Sequence, residues 1–308
     1  MSDPLVWLPF DLDELGDLPD NLRYETFDGD LGEGGELPAS ADEVELYVTP
    51  YRFSAGDGEV LGRLPNLKVV QTLSAGVEHI ARWIPEGVTL CNGRGIHDTA
   101  TAELALTLTL ASLRGVPDFV RDQDQARWRP VKRPSLADKQ VLIVGYGQIG
   151  AAIEDRLLPF ECEVTRVARS ARDGVHAIAE LPELLPGADV VILIVPGTPE
   201  TAGLFDADLL AKLKDGALLV NVARGPVVDT DALLAELQSG RFSAALDVVD
   251  PEPLPEDHPL WHAPNLLLLP HVGGNSDAMD PRGRRLVREQ LQRYAAGDPL
   301  ENVISGDY

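Results

Sequence analysis

The sequence predicts an α/β chain of two open, doubly wound parallel sheets, and three observations support this. Val141-Leu142-Ile143-Val144-Gly145-Tyr146-Gly147-Gln148-Ile149-Gly150 is an apolar, β-branched run that meets a G-x-G-x-x-G turn and then a helix-compatible segment over 151–158. Short apolar strands alternate with helical stretches along the chain. Its 308 residues with 44% hydrophobic content suffice for two cores.

In the N-terminal third the strand candidates are 5–8, 45–49, 68–72 and 88–91. Residues 28–36 read as a glycine-rich loop, and 58–64 and 77–83 as helical stretches. Two loops follow strand C-terminal ends, where open α/β sheets place ligands: Pro50-Tyr51-Arg52-Phe53 and Leu73-Ser74-Ala75-Gly76-Val77. The small residues of the second would leave backbone N–H groups to hold an anion such as a carboxylate, although an ordinary turn fits the composition equally well.

A helix over 98–113, capped by Asp98 and apolar nearly all round, suits a crossing between domains. Residues 114–138 read as a helix ending near Arg127 and an irregular connection, on which Trp128 would dock a second subunit or make a satellite core contact. In the glycine-rich turn, Gly145 would allow the tight bend, Gly147 the approach of a pyrophosphate and Gly150 close packing of helix on strand. A strand over 163–172 follows. An NAD-binding unit carries an acid about 20 positions after the fingerprint, for the ribose 2′-hydroxyl. Here Ala168 stands in that place, and Arg169, Ser170 and Arg172 after it suit a 2′-phosphate, which favours NADP(H), with NAD(H) the weaker alternative. Strands over 189–196, 216–225, 242–249 and 266–271, with a helix over 229–237, continue the winding. A helical segment over 282–295 crosses back to complete the first domain. The expected division is 1–97 with 275–308 as substrate domain and 98–274 as coenzyme domain.

Arg224, Asp247, Glu252 and His271 all fall just beyond C-terminal ends of predicted strands. Singly they read equally well as a surface cation, a cap, one acid among many and a satisfied loop histidine. Together they describe a carbonyl reduction. A carbonyl that receives hydride builds charge on its oxygen, so a proton donor titrating near neutrality must stand beside it, and His271 suits that task. Glu252 would orient the ring and favour its charged form. Arg224 would bind a substrate carboxylate and polarise the carbonyl, and Asp247 would hold the nicotinamide carboxamide.

With these residues the chain resembles the D-isomer-specific 2-hydroxyacid dehydrogenases over nearly its full length. The resemblance is carried by residues 145–150, Pro196-Gly197-Thr198-Pro199-Glu200-Thr201, Asn221-Val222-Ala223-Arg224-Gly225, residues 247–255, Pro259-Leu260-Trp261 and Pro270-His271-Val272-Gly273-Gly274. It implies a homodimer whose Rossmann-like coenzyme domain and flavodoxin-like substrate domain close over a small 2-keto acid or D-2-hydroxy acid. It places Arg224, Glu252 and His271 in the family's catalytic positions and Ala75 and Gly76 in the carboxylate-holding loop. Tyr51, Arg52 and Phe53, in the loop after the 45–49 strand, are also expected at the substrate. Cofactor contacts are expected from Thr101, Gly145, Gly147, Gln148, Ile149, Gly150, Val195, Pro196, Thr201, Val222, Ala223, Arg224, Asp247, His271 and Gly273. Two departures stand out: Gly197 replaces a bulkier residue, and Ala168 with Arg169 replaces the acid of NAD-preferring members. A glyoxylate or hydroxypyruvate reductase differs only in its pocket, which Tyr51, Phe53, Trp128 and Trp261 would shape; a formate or phosphite dehydrogenase is more distant. A dinucleotide-sensing corepressor is the alternative of another class.

The net charge of −24 is spread along the chain, and lysine is confined to Lys68, Lys132, Lys139, Lys212 and Lys214. Nucleic acid and anionic membranes are poor partners for such a surface. No apolar run nears the roughly 20 residues of a membrane span, and 5–10 is too short for a signal sequence, so a cytoplasmic location is expected. Cys91 and Cys162 form no disulfide framework or metal-ligand pattern and are expected as buried free thiols. The charge is that of a merely acidic protein or of one adapted to molar salt, where screening acts within about 3 Å; by the second reading the chain resembles a family member from a halophilic archaeon. That reading predicts loss of the far-ultraviolet circular dichroism of the fold on dialysis from molar KCl into dilute buffer, and full retention there would refute it.

Overall fold

Among the described residues of the computed structural model (3–31, 35–51 and 56–304), twelve strands form two sheets whose strand pairings are all parallel. They belong to two compact units, Met1–His97 with Asp277–Tyr308, and Asp98–Ser276.

The first unit contains β1 (Leu5–Leu8), β2 (Arg23–Thr26), β3 (Val44–Val48), β4 (Val69–Gln71) and β5 (Thr89–Cys91) in the order β2-β1-β3-β4-β5, the flavodoxin-like winding. Side chains alternate between two buried faces. Leu5, Trp7 and Val70 join one cluster, in which Trp7 packs on Phe27 at 4.4 Å between ring centroids. Val6, Leu8, Leu46 and Val69 join the other, against Met279, Leu286, Val287 and Leu291 of the helix Met279–Ala296. The core of this unit therefore draws on both ends of the sequence.

The second unit contains β6 (Gln140–Val144), β7 (Glu163–Ala168), β8 (His176–Ala177), β9 (Val190–Leu193), β10 (Leu218–Asn221), β11 (Ser243–Leu246) and β12 (Leu266–Leu268), in the order β12-β11-β10-β9-β6-β7-β8. Winding reverses at β6, so a crevice is expected between β6 and β9, at their C-terminal ends. The apolar runs of β6, β9 and β10 are continuous because both faces are covered. Val141, Ile143, Val190 and Ile192 point to Ala102, Ala105 and Leu108 of the helix Asp98–Arg114 and to Ile153 and Leu157 of the helix Gln148–Leu157. Leu142, Val144, Val191 and Leu193 point the other way, to Leu210, Leu233 and Leu237. Burying one such side chain stabilises by about 1.5–3 kcal/mol.

Several elements differ from the sequence expectation for local reasons. Residues 77–83 give only a 3-10 turn, Ala81–Trp83, because the segment closes with i to i+3 bonds such as Ile80 N–H to Val77 O. The helix expected over 98–113 runs from Asp98 to Arg114, and the next helix ends at Asp124. The strand expected over 163–172 stops at Ala168, since Arg172 and Val175 pair across a turn in which Gly174 has φ +68°. The strands expected to reach Pro196, Gly225, Val249 and His271 all end earlier. Their apolar character runs on into buried loops, for Val195, Val222, Ala223 and Val248 lie inside. Cys91 is buried, but Cys162 is only half-buried, its thiol donating to Leu157 O at 3.4 Å.

A carboxylate is buried in the glycine-turn helix. The Glu154 side chain is 5% exposed and accepts Arg166 Nε–H at 2.9 and 2.8 Å on its two oxygens. Arg166, aided by the Tyr146 hydroxyl, holds this carboxyl below the usual range against the opposing effect of burial. A group so depressed adds stability that is fully present above its unfolded value of about 4.3 and is lost as pH falls through the folded one. Glu154→Gln is therefore expected to lower stability at pH 7 by about 1–2 kcal/mol in urea unfolding, and the gap to wild type should close below about pH 4.

Candidate active site

The glycine turn is fixed from below. Gly145 and Tyr146 both donate N–H to Val167 O at 2.8 Å, which ties the turn to the end of β7. Gly145 has φ +110°, and a Cβ there would lie 2.4 Å from Ile194 O; one at Gly150 would lie 2.8 Å from Gly145 O. Gly147 differs, since a Cβ there would meet nothing within 4 Å. It precedes the helix Gln148–Leu157, whose N-terminus no side chain among the described residues caps. Open ground before uncapped N–H groups, at Gln148 and Ile149, is what a pyrophosphate requires, so these residues fit a dinucleotide.

Past the end of β7, Arg169, Ser170 and Arg172 are exposed. Arg172 folds back and donates to Tyr146 O at 2.6 Å. Arg169 lies near Glu200, whose carboxyl is held low first by the Thr198 hydroxyl, then by its own backbone N–H, with Arg169 adding a smaller Coulombic share. The 196–201 loop is closed by Thr201, which donates to Pro196 O at 2.6 Å and accepts Thr198 N–H at 2.9 Å.

The strand ends β10, β11 and β12 place the second group. Beyond β10, Asn221 accepts Ala223 N–H and donates to Arg224 O, both at 3.0 Å, and half-buried Arg224 donates to Ala223 O at 2.7 Å. A Cβ at Gly225 would lie 1.8 Å from Val249 O, so the loops after β10 and β11 touch through their backbones. Asp247, 2% exposed, accepts Val272 N–H on Oδ1 and Gly273 N–H on Oδ2, both at 2.8 Å. Its carbonyl accepts His271 N–H at 2.7 Å. Asp247 thus grips the loop that carries His271, a task its expected carboxamide contact did not include. His271 has φ +53°, in the left-handed region, and its Nδ1 lies 2.5 Å from Glu252 Oε1. That pairing fixes the orientation of the imidazole ring through Nδ1. Thr101, at the start of its helix, donates to Gly273 O at 3.4 Å.

In the first unit the 73–76 loop has its carbonyls tied down. Leu73 O meets His97 Nε2 at 2.8 Å, Ser74 O accepts Gly93 N–H at 2.7 Å, Ala75 O accepts Asn92 Nδ2–H at 2.7 Å and Gly76 O accepts the Ser74 hydroxyl at 2.8 Å. Each peptide N–H points opposite to the carbonyl of the same peptide unit, so those of Ala75 and Gly76 turn away from these partners. Tyr51 stacks near His97, 5.0 Å between ring centroids, while Arg52 and Phe53 lie outside the described residues. In the second unit Trp128 is 97% exposed, which removes the core-contact alternative, and Trp261 donates its indole N–H to Pro255 O at 2.8 Å.

Sequence inspection passed over Asn92, His97 and Glu154. The first two act on carbonyls distant in sequence, which no local motif marks. The third is one acid among 50 Asp and Glu residues.

Comparison with known proteins bears on this geometry. The family profile described as "D-isomer specific 2-hydroxyacid dehydrogenase, NAD binding domain" matches residues 106–273. A glyoxylate reductase of Thermofilum pendens is 38% identical over 259 residues, which is 79% of this chain and 76% of that protein. Among solved structures, a D-isomer specific 2-hydroxyacid dehydrogenase from Xanthobacter autotrophicus Py2 in complex with NADPH and MES aligns with TM-score 0.82 and 31% identity, over 99% of this chain and 98% of that one. An NADPH-dependent glyoxylate/hydroxypyruvate reductase from Sinorhizobium meliloti in complex with NADP and malonate aligns with TM-score 0.81 and 27% identity, over 99% and 97%.

Asp247→Asn would turn an amide N–H toward one of the two backbone donors. The expected cost is about 1.5–3 kcal/mol in urea unfolding, with a fall in turnover as the His271 loop loosens. Unchanged values for both would show that the grip is dispensable.

Proposed function

We propose that this chain, which belongs to the D-isomer-specific 2-hydroxyacid dehydrogenase family, reduces 2-keto acids to D-2-hydroxy acids with NADPH and runs the reverse oxidation with NADP. Membership makes it an oxidoreductase of keto and hydroxy acids. The observation that carries the finer reading is the His271–Glu252 pair, held on the same sheet edge as Arg224. The bound nicotinamide supplies the hydride. His271, with Nδ1 engaged by Glu252, delivers a proton from Nε2 to the carbonyl oxygen as charge builds there. Arg224 binds the substrate carboxylate and polarises the carbonyl. Thr101, Val195, Pro196, Val222, Ala223 and Gly273 are assigned to the nicotinamide end, and the glycine turn to the pyrophosphate. In the first unit, Tyr51, Ala75 and Gly76 are assigned to substrate, supported by the carbonyl bonds that fix the 73–76 loop.

The preference for NADP(H) is supported by Ala168 followed by Arg169, Ser170 and Arg172, and by relatives described with NADPH or NADP. Glyoxylate and hydroxypyruvate are favoured among substrates by the descriptions of two relatives. The same reading takes the enzyme as a cytoplasmic homodimer adapted to salt, supported by the fully exposed Trp128, the free cysteines and the net charge of −24. No helix among the described residues is long and apolar enough to cross a membrane.

His271→Gln is expected to lower kcat by about 10²–10⁴-fold while leaving NADPH binding intact. Steady-state rates with NADPH and NADH on glyoxylate, hydroxypyruvate, pyruvate and 2-ketoisocaproate test both parts. Wild-type turnover in the variant would refute the acid, and faster turnover with NADH on every substrate would refute the cofactor preference.

A further inference from the structure

The sequence singled out two arginines beside the glycine turn, and the structure adds a third, Arg166, and a ring between them. Tyr146 occupies the second position of the turn. The Arg166 guanidinium carbon lies 5.5 Å from its ring centroid and that of Arg172 lies 5.9 Å away. Two cations beside one ring would repel each other, but they are not equivalent. Arg166 spends its fork on the buried Glu154 carboxylate, which also accepts the Tyr146 hydroxyl. Its charge is largely offset there. Arg172 instead contacts the Tyr146 carbonyl at 2.6 Å and the ring, both uncharged. Only one of its five N–H donors is used on that carbonyl. The arrangement therefore holds the Arg172 guanidinium at the lip of the turn through uncharged partners.

We propose that Tyr146 is a positioning residue for recognition of the cofactor 2′-phosphate, holding Arg172 through its carbonyl and ring while Glu154 neutralises the neighbouring Arg166. Discrimination between NADPH and NADH then depends on an aromatic residue inside the glycine fingerprint as well as on the arginines after β7. A second observation fits this role. The buried Glu154 carboxylate anchors the phenol, so the ring is held from its far end, and the Val167 carbonyl fixes its backbone. The inference rests on the reading that Arg169 and Arg172 receive the 2′-phosphate.

The test is calorimetric titration of NADPH, NADH and 2′,5′-ADP onto wild type, Arg172→Ala, Tyr146→Leu and Tyr146→Phe, each verified as folded by circular dichroism. Loss of the π-face in Tyr146→Leu should weaken NADPH and 2′,5′-ADP about fivefold and NADH less than about twofold, whereas Tyr146→Phe, which keeps the π-face and loses only the hydroxyl anchor, should fall between Tyr146→Leu and wild type for NADPH and 2′,5′-ADP. Tyr146→Met, which fills similar volume without a π-face, gives the same comparison should the leucine variant unfold. Retention of the wild-type NADPH to NADH ratio in Tyr146→Leu or Tyr146→Met, with loss of that ratio in Arg172→Ala, would overturn the positioning role alone. An unchanged ratio in Arg172→Ala would overturn the phosphate reading beneath it.

Discussion

The buried carboxylate of Asp247 is the constraint on which the candidate catalytic group depends. It sits at the end of β11, and its two oxygens take two successive backbone N–H groups from the segment after β12. Its own N–H donates to Asn221 O at 2.9 Å, at the end of β10, and Asn221 in turn fixes the loop bearing Arg224. Three strand ends are thereby joined through one residue. Hydrogen bonds to an ionised acceptor are stronger than neutral ones, typically about 1.5–3 kcal/mol each, and a carboxylate in this setting tolerates little movement of its donors. Arg224 and His271 are consequently held by backbone rather than by loop packing alone.

Much of this was legible in the sequence. The buried strands of the second unit could be read because helices cover both faces, which makes their apolar runs continuous. β2, with the sequence Arg23-Tyr24-Glu25-Thr26, was not, because an edge strand pairs on one side only and needs no apolar face. Strand lengths were overestimated at their C-terminal ends, where buried loop residues such as Val222 and Ala223 continue the apolar pattern.

The residues at the site divide in the same way. Arg169, Arg172, Arg224, Glu252 and His271 could be picked out because they are charged or titratable groups directly after apolar runs. The residues that hold neighbouring loops and side chains in place could not. Asn92 and His97 hold carbonyls of the 73–76 loop, and Glu154 pairs with Arg166 on a neighbouring strand. Such partners are defined by the three-dimensional course of the chain, and their sequence surroundings carry no period or spacing that marks them.

The left-handed backbone at His271 reaches beyond the reaction it serves. Of the side chains other than glycine, Asn, Asp and His enter this region most readily, while branched or bulky ones pay for it. Drift at this position is therefore filtered twice, once by what the imidazole does and once by what the main chain will accept. A replacement that abolishes chemistry but relaxes easily into φ +53°, such as asparagine, separates the two filters. In a lineage that had given up the reaction while keeping the fold, that residue rather than a branched or bulky one is the substitution to look for.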